Sequence, residues 1–197
     1  MTRLDGDMEE PADHVVQGCT RCVDLVDHRS QIVNGQGADD TELLLIGEAP
    51  GEAEDIAGVP FVGRSGEVLN QSLEARGLDR GVVRITNCVR CRPPDNRNPR
   101  VSELTNCRPH LENEIAFVDP RVILALGRVP AEELLQRDIR VTDEAGAVEH
   151  VELGGHERVI VIGLHPAATL YNRNSMGAFE EALDRSIELA GLAHRNS

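Results

Sequence analysis

Four short apolar runs, rich in Val, Ile and Leu, recur at wide intervals along the chain. Within each run polar and apolar residues hardly alternate, which is typical of parallel strands buried on both faces. These runs predict strands over residues 43–46, 82–85, 122–126 and 159–164. Because each gap between them is long enough for a crossover, the four strands are expected to form one short parallel sheet.

The segments between and after these runs carry apolar residues at the three- and four-residue spacing of amphipathic helices. They predict helices over residues 66–76, 101–117, 129–135 and 177–189, with Ser102 as the N-cap of the second. A shorter helix is expected from about Asp13 through the first Cys-x-x-Cys pair, followed by a polar turn over residues 34–40. Residues 139–142 and 147–153 are predicted to pair as a β-hairpin through residues 144–146.

This alternation of strands and helices predicts the α/β class, as a three-layer α/β/α sandwich with a short central parallel sheet. A chain of 197 residues is enough for one well-packed domain and tight for two. We therefore expect a single domain over residues 1–197, with residues 1–12 as a frayed N-terminal tail.

Polar, turn-rich motifs follow three of the four predicted strands. The first strand runs into Gly47 of GEAPG, the second ends at Thr86-Asn87, and the fourth ends at His165-Pro166. In open parallel sheets, ligands bind outside the carboxyl ends of the strands. The three motifs are therefore expected to meet at one site.

The first motif, GEAPGEAEDIAGVPFVGRSG, spans residues 47–66 and combines small residues with two acids, Glu48 and Glu54. Small residues allow a ligand to approach the backbone closely, so that the backbone amides can donate hydrogen bonds to the ligand. The motif has neither the spacing of a dinucleotide-binding loop nor the ending of a P-loop. The alternative interpretation is a glycine-rich connector whose acids face solvent.

The second and third motifs each present one candidate side chain. Asn87, in ITNCVRCRPPDNRNP, offers both a donor and an acceptor and so suits the edge of a base. Alone, it is better explained as a turn cap, which is a common role of Asn at strand ends. His165, in GLHPAATLYNR, can donate to an oxygen that develops negative charge, although a lone histidine is more often structural.

Amino-acid composition bears on the expected partner and on the expected cellular location. The net charge is −14 and all 20 basic residues are Arg, which alone argues against a nucleic-acid partner. A salt-rich cytoplasm would explain the same composition, because acidic surfaces stay soluble there and long-range repulsion from DNA is screened. No membrane-length apolar run and no secretory signal are found, so we expect a cytoplasmic protein.

Five cysteines occur, and two Cys-x-x-Cys pairs lie far apart. An odd number in a chain without a leader argues against a disulfide framework and favours a metal site. Cys19, Cys22, Cys88 and Cys91 could form a zinc ribbon, or Cys107 could replace Cys88. Four thiolates suit a [4Fe-4S] cluster equally well, so spacing alone does not choose the metal.

The three motifs and the cysteines together resemble the family-4 uracil-DNA glycosylases, which carry an iron–sulfur cluster. The resemblance runs from Cys19 to about Arg185, nearly the full chain. It implies that the cluster ligands are Cys19, Cys22, Cys91 and Cys107, with zinc as the less favoured occupant. The chain departs from the family at Cys88, where an aliphatic residue is usual, and at Arg90, where the family has Lys.

The resemblance also assigns roles within the motifs. It implies that Gly47, Glu48 and Ala49 lie where the loop meets uracil and the attacking water, and that Glu54 is a second acid near the reaction centre. It implies that Phe61 stacks on the base and that Asn87 reads its edge. Asn96 takes a supporting role in the same motif, and His165 lies close to uracil O2.

The activity implied is hydrolysis of the N-glycosidic bond of uracil in DNA, which leaves an abasic site for base excision repair. A related family traps uracil-DNA covalently and carries an inserted basic stretch with a histidine after the second motif. CRPPDNRNP has no such insert, so turnover is expected rather than trapping. The alternatives are a non-catalytic uracil- or DNA-binding module on the same fold and a zinc-ribbon nucleotide-binding protein.

The expected partner is uracil-containing DNA, with no membrane contact and a monomeric protein. Four arginines of the predicted cluster region are expected to contact phosphates: Arg92, Arg97, Arg100 and Arg108. The sequence is silent on partners such as a sliding clamp.

Overall fold

In the computed structural model of this chain, residues 14–172 and 174–192 are described, and six strands within them form one sheet in the order β1-β3-β2-β4-β6-β5. The central four strands are parallel, and the two edge strands run antiparallel to their neighbours. The bounds are β1 Gln36–Gly37, β2 Leu43–Gly47, β3 Arg84–Asn87, β4 Val122–Leu126, β5 Val148–Leu153 and β6 His156–Gly163. The predicted tail over residues 1–12 lies outside the described residues.

Eight helices of the described chain surround this sheet. Their bounds are α1 Val23–Val26, α2 Glu52–Ala57, α3 Arg64–Glu74, α4 Val101–Val118, α5 Arg128–Leu135, α6 Val141–Glu144, α7 Pro166–Tyr171 and α8 Asn174–Leu189. None of these helices is both long and apolar enough to cross a membrane.

Alternate residues of β2 face two separate apolar layers. Leu43 and Leu45 pack with residues of α3 and α8 on one face of the sheet. Leu44 and Ile46 pack with residues of α4 and α5 on the other face. All four side chains are fully buried, which explains why the sequence of this strand is continuously apolar. The predicted three-layer α/β/α fold is therefore confirmed.

The predicted second strand begins two residues too early. Residues 80–82 form a 3-10 turn, in which the Asp79 carboxylate accepts a hydrogen bond from the Gly81 N–H at 2.5 Å. The strand therefore starts at Arg84 and ends at Asn87. The polar turn predicted over residues 34–40 contains the short edge strand β1, which pairs with β3.

The predicted hairpin is wrong in its first strand. Residues 141–144 form helix α6, and β5 pairs instead with β6 across Gly154 and Gly155. Both glycines have positive φ, 64° and 79°, the backbone conformation that tight two-residue hairpin turns require. The sequence pattern does not predict this pairing, because β6 has the continuous apolar sequence of a buried parallel strand although its outer neighbour β5 is antiparallel.

The helix predicted from Asp13 through the first Cys-x-x-Cys pair is also wrong within the described residues. Residues 14–22 are not helical, Gly18 has φ 60°, and α1 begins only at Val23. Ser102 is not the N-cap of α4, because the helix begins at Val101 and Arg100 takes the cap position. The Glu103 carboxylate accepts the N–H of Arg100 at 2.7 Å, which satisfies the helix end in place of a serine.

Candidate active site

A cleft of about 520 Å³ opens at the carboxyl edge of the parallel strands. It is bounded by the loop after β2, the end of β3 and His165, which precedes α7. Seven predicted site residues line it, namely Glu48, Ala49, Glu54, Phe61, Asn87, Asn96 and His165. The three motifs, far apart in sequence, therefore share one cavity.

Gly47 does not line the cleft but lies directly behind it. A Cβ at this position would come within 2.4 Å of the Asn87 Oδ1 atom and 2.6 Å of the Phe61 ring. The glycine is thus required because two cleft side chains pack against its bare Cα. The amide of Asn87 is buried and makes no hydrogen bond to another described residue, so its donor and acceptor remain free for a ligand.

Phe61 provides an aromatic wall of the cleft. The ring is 4% exposed and lies beside the His165 ring, with 5.5 Å between the centroids and an interplanar angle of 29°. Its backbone has φ 53°, in the left-handed region that non-glycine residues rarely adopt. Gly66 accommodates this conformation, because a Cβ there would meet the Phe61 carbonyl oxygen at 1.9 Å.

The Glu54 carboxylate is used to shape the loop. Its Oε1 atom accepts the N–H groups of Val62 at 3.0 Å and Gly63 at 2.9 Å, and Oε2 accepts the N–H of Gly51 at 3.1 Å. The side chain is buried, so these three charge-assisted bonds join the start of α2 at Gly51 to the start of α3 at Gly63. Little of its acceptor capacity remains for a water molecule.

Glu48 differs from Glu54 because its carboxylate accepts no hydrogen bond from another described residue. Burial raises the pKa of Glu48 above its ordinary value, and the Arg128 guanidinium opposes this shift. A carboxylate with free lone pairs and a raised pKa in a cleft has the properties of a general base.

His165 is held in one tautomer. The backbone N–H of Ala167 donates to its Nδ1 atom at 3.1 Å, so the neutral ring carries its proton on Nε2. Burial lowers the pKa of His165 to about 4, against a smaller opposing effect of Glu54. At neutral pH the side chain is therefore an uncharged donor.

The structure adds four cleft residues to the predicted set: Gly51, Ser65, Ala167 and Tyr171. Tyr171 is the one tyrosine of the sequence and is 86% exposed at the end of α7. Because aromatic residues are scarce in the sequence, Tyr171 stands out as a candidate site residue. Nothing in the sequence distinguishes Ser65 or Ala167. Asn96 is oriented by Arg92, whose Nε donates to its Oδ1 at 2.8 Å.

A second, small apolar cavity is lined by the four predicted metal ligands, Cys19, Cys22, Cys91 and Cys107. Cys88 is fully buried elsewhere, in the apolar layer beneath α4, and burial raises the pKa of its thiol. Within the described residues, no three Cys, His, Asp or Glu side chains are grouped closely enough to hold a single metal ion.

N–H donors point at three of the four sulfurs. Arg29 Nη1 donates to Cys91 Sγ at 2.9 Å, Asn106 Nδ2 to Cys22 Sγ at 3.5 Å, and the Arg90 backbone N–H to Cys107 Sγ at 3.4 Å. Such bonds stabilise thiolates, as required around a thiolate-bound metal group. Burial raises the pKa of Cys107 to about 11, and the hydrogen bond from the Arg90 N–H opposes this shift.

Backbone hydrogen bonds connect a segment that lines the cleft to a segment that lines the cysteine cavity. The N–H of Cys88 donates to the Gly47 carbonyl at 2.9 Å, and the N–H of Val89 donates to the Glu48 carbonyl at 3.0 Å. The loop that carries Glu48 is thereby fixed to the segment that leads to Cys91.

Each of the four arginines expected to contact phosphates has a carboxylate nearby. Arg97 binds Glu103 through both terminal nitrogens, Arg100 pairs with Asp24, and Arg108 pairs with Glu133 at 2.6 Å. Arg92 lies 3.9 Å from Glu52. Any phosphate contact by these side chains must therefore compete with an ion pair inside the protein.

Comparison with known proteins agrees with this geometry. A family model described as the uracil DNA glycosylase superfamily matches residues 34–186. The type-4 uracil-DNA glycosylase of Pyrobaculum aerophilum is 37% identical, over 86% of this chain and 88% of the relative. Those of Sulfurisphaera tokodaii and Archaeoglobus fulgidus are 38% and 36% identical, each over 89% of this chain and over 81% and 90% of the respective relative.

The superfamily match covers every residue of the cleft, and the type-4 relatives align along most of their own length. The chain therefore belongs to the uracil-DNA glycosylase superfamily and, within it, to the type-4 family.

Proposed function

We propose that this protein excises uracil from DNA by hydrolysing the N-glycosidic bond, leaving an abasic site for base excision repair. The observation that carries the proposal is the cleft itself, where the Phe61 ring, the free Asn87 amide and the neutral His165 ring share one cavity. A flat aromatic wall, an amide edge and an uncharged donor match the face, edge and carbonyl oxygen of a pyrimidine.

The base would enter this cleft by leaving the DNA stack. Enzymes that act on a base inside a duplex extrude the nucleotide into a pocket and read its hydrogen-bonding edge there. Phe61 would stack on the extruded ring, and Asn87 would both donate to and accept from its N3–O4 edge. Because the Asn87 side chain makes no other hydrogen bond to a described residue, binding need not break an existing one.

Bond cleavage transfers the glycosidic electron pair to uracil and leaves positive charge on the sugar. The Nε2–H of His165 would donate to the O2 atom of the departing anion, where negative charge accumulates. A neutral donor suits this role, because its pKa near 4 keeps it uncharged and fixed in one tautomer. One hydrogen-bond donor aimed at a developing anion typically lowers the activation free energy by about 3 kcal/mol.

Water completes the reaction at C1′. Its oxygen forms the new bond to carbon, and Glu48 would accept the proton that it releases. Glu48 suits this role better than Glu54, because the Glu54 carboxylate is already bonded to three backbone N–H groups. We assign Glu54 to holding the loop in shape.

We further propose that Cys19, Cys22, Cys91 and Cys107 hold a [4Fe-4S] cluster. In a cluster each thiolate binds its own iron atom, so the sulfurs can lie farther apart than around one tetrahedral zinc ion. The four cysteines line one apolar cavity, and N–H donors point at three of their sulfurs, which supports a thiolate-bound metal group there. When bound, the cluster would crosslink the N-terminal segment, the loop at Cys91 and helix α4.

DNA binding by such an acidic protein is compatible with a salt-rich cytoplasm, which we propose as its setting. The net charge of −14 would repel DNA at low ionic strength, but this repulsion is screened beyond about 3 Å at 1 M salt. Arg64 is exposed beside Ser65 of the cleft and has no ion-pair partner among the described residues, so it is free to meet a phosphate.

The test is single-turnover cleavage of a labelled oligonucleotide that carries one uracil, at salt concentrations from millimolar to molar. Alkali then breaks the strand at abasic sites. We expect cleavage at uracil and none in the matched thymine strand. Binding without cleavage at every salt concentration would instead favour a non-catalytic binding module.

A further inference from the structure

The conformation of Phe61 depends on a contact outside the cleft. Phe61 combines a buried ring with a left-handed backbone, which a side chain with a Cβ adopts only when its surroundings impose it. Gly66 leaves room for the Phe61 carbonyl, but no backbone N–H of the described residues donates to it. Something else must hold that carbonyl in place.

Arg80 supplies this contact. Its Nη1 atom donates to the Phe61 carbonyl at 2.6 Å, and Nη2 donates to the Pro60 carbonyl at 2.5 Å. The same Nη1 atom donates to Asn70 Oδ1 at 3.1 Å, which fixes the guanidinium from the side of α3. A planar guanidinium bonded to two consecutive carbonyls defines the orientation of the peptide between them.

The position of Arg80 in the chain gives this contact a second consequence. Arg80 belongs to the 3-10 turn that leads into β3, and β3 ends at Asn87. The guanidinium therefore connects the backbone of the stacking residue to the strand that carries the edge-reading residue. The Phe61 and Asn87 side chains both lie against Gly47, so a shift of one side chain relative to the other would change the packing at Gly47.

We propose that Arg80 is a positioning residue, which sets the Phe61 ring against Asn87 and His165 and so determines how tightly the cleft holds uracil. The proposal rests on the function proposed above, because it takes uracil as the ligand between these side chains. Arg80 does not line the cleft and touches no reacting atom.

Arg80→Met tests the proposal, and Arg76→Met is the matched control. Arg76 is also a partly buried arginine bonded to a carbonyl, that of Ser72, but it ties α3 to Asp184 of α8 away from the cleft. Misplacement by about 1 Å outside the chemistry can cost about 100-fold in rate. We therefore expect Arg80→Met to lower kcat/KM on uracil-DNA by about 10- to 100-fold and to weaken inhibition by free uracil. Arg76→Met should change neither by more than about threefold while losing similar thermal stability.

A spectroscopic measurement separates this proposal from the function on which it rests. The Phe61 ring lies against the His165 ring, so ring-current shifts of the His165 protons report the position of Phe61 without any substrate. We expect these NMR signals, assigned by their loss in His165→Gln, to move in Arg80→Met and to stay in place in Arg76→Met. Unchanged His165 signals, or uracil inhibition equal to that of Arg76→Met, would overturn the positioning role.

Two further arms complete the design. If Arg80→Met does not fold, Asn70→Ala replaces it, because that variant removes the group that orients the guanidinium. The His165 signals of Asn70→Ala should then move away from their wild-type positions, and their failure to move would again overturn the proposal. A wild-type protein that cleaves no uracil-DNA would refute the proposed function, whereas the NMR comparison would still decide whether Arg80 positions Phe61.

Discussion

At the scale of single residues, the two acids of the first motif are distinguished by their hydrogen-bond partners. The Glu54 carboxylate accepts three backbone N–H groups, whereas the Glu48 carboxylate accepts none from the described residues. A residue that completes a loop and a residue that serves the reaction should respond differently to loss of charge, although they lie only six positions apart.

We expect Glu48→Gln to lower the single-turnover rate by about 100-fold or more, because removal of a general base typically costs this much. Its unfolding free energy should stay close to that of the wild type. Glu54→Gln should instead destabilise the protein by about 1–3 kcal/mol, because a neutral amide offers one oxygen to three donors. Rate measurements combined with urea unfolding check both variants, and a near-normal rate in Glu48→Gln would contradict the assignment of Glu48 as the base.

The pH dependence of cleavage should identify the same acid. Glu48 acts as a base only when deprotonated, so the rate should fall as pH drops through its pKa, which burial raises above 4.5. His165 should not contribute to this fall until about pH 4, because burial lowers its pKa. Single-turnover rates from pH 4 to 8 should therefore lose their acid limb in Glu48→Gln and keep it, at lower overall rate, in His165→Gln. A limb near pH 6.5 that disappears only in the histidine variant would contradict this assignment.

At the scale of elements, α4 and β3 are joined by a buried group of charges. Glu114 of α4 is fully buried and binds Arg84 at 2.8 Å, Thr86 at 2.8 Å and Arg90. Burial alone would raise the pKa of Glu114, but the two guanidinium groups outweigh it and lower the pKa. The helix that bears Cys107 is thereby locked to the strand that bears Asn87, which couples the cysteine cavity to the cleft.

Glu114→Gln should destabilise the protein by about 3–5 kcal/mol, because it leaves the buried Arg90 guanidinium without a counter-charge among the described residues and leaves Arg84 with the exposed Asp39 carboxylate alone. Glu133→Gln is the matched control, since it breaks the pair with Arg108 near the surface and should cost about 1 kcal/mol or less. Urea unfolding at fixed salt concentration measures both. Equal losses would mean that the buried group contributes no more than a surface pair.

At the scale of the whole molecule, three distant segments converge on the cysteine cavity, so metal binding should be a matter of folding. Cys107→Ser is expected to lose the visible absorbance of an iron–sulfur cluster and to lower the melting temperature, because binding energy at such a site is folding energy. Cys88→Ala should keep the absorbance, since Cys88 lies in a separate apolar layer. Full stability of the metal-free protein would contradict the structural role proposed for the cluster.

Three of the arginines that lie near Cys91 and Cys107 in the sequence are already paired with carboxylates. Arg97, Arg100 and Arg108 each bind a carboxylate of the protein, which leaves Arg64 beside the cleft as a more available cation. This arrangement was not visible in the sequence, where the same arginines stand out as a basic group. Ion pairs depend on which side chains the fold brings within reach, and the partners of Arg100 and Arg108 are 76 and 25 residues away.

The sequence by itself determined the four parallel strands and the layers around them, because strands buried on both faces must be apolar throughout. The strand β4 has the predicted bounds, and β2 extends one residue beyond them, to Gly47. Elements with weak local patterns were misjudged. The 3-10 turn before β3 and the pairing of β5 depend on a capping Asp79 and on two turn glycines, which compete with stronger neighbouring signals.

The sequence motifs also indicated which residues meet in the cleft, since strand order in a parallel sheet brings carboxyl ends together. Only the tertiary structure distinguished the roles within that set. It gave the Glu54 carboxylate three backbone partners, fixed the tautomer of His165 through Ala167, and placed Arg80 behind Phe61. Residue type limits what a side chain can do, but hydrogen-bond partners and burial decide which of those possibilities is used, and both are set by contacts between segments distant in sequence.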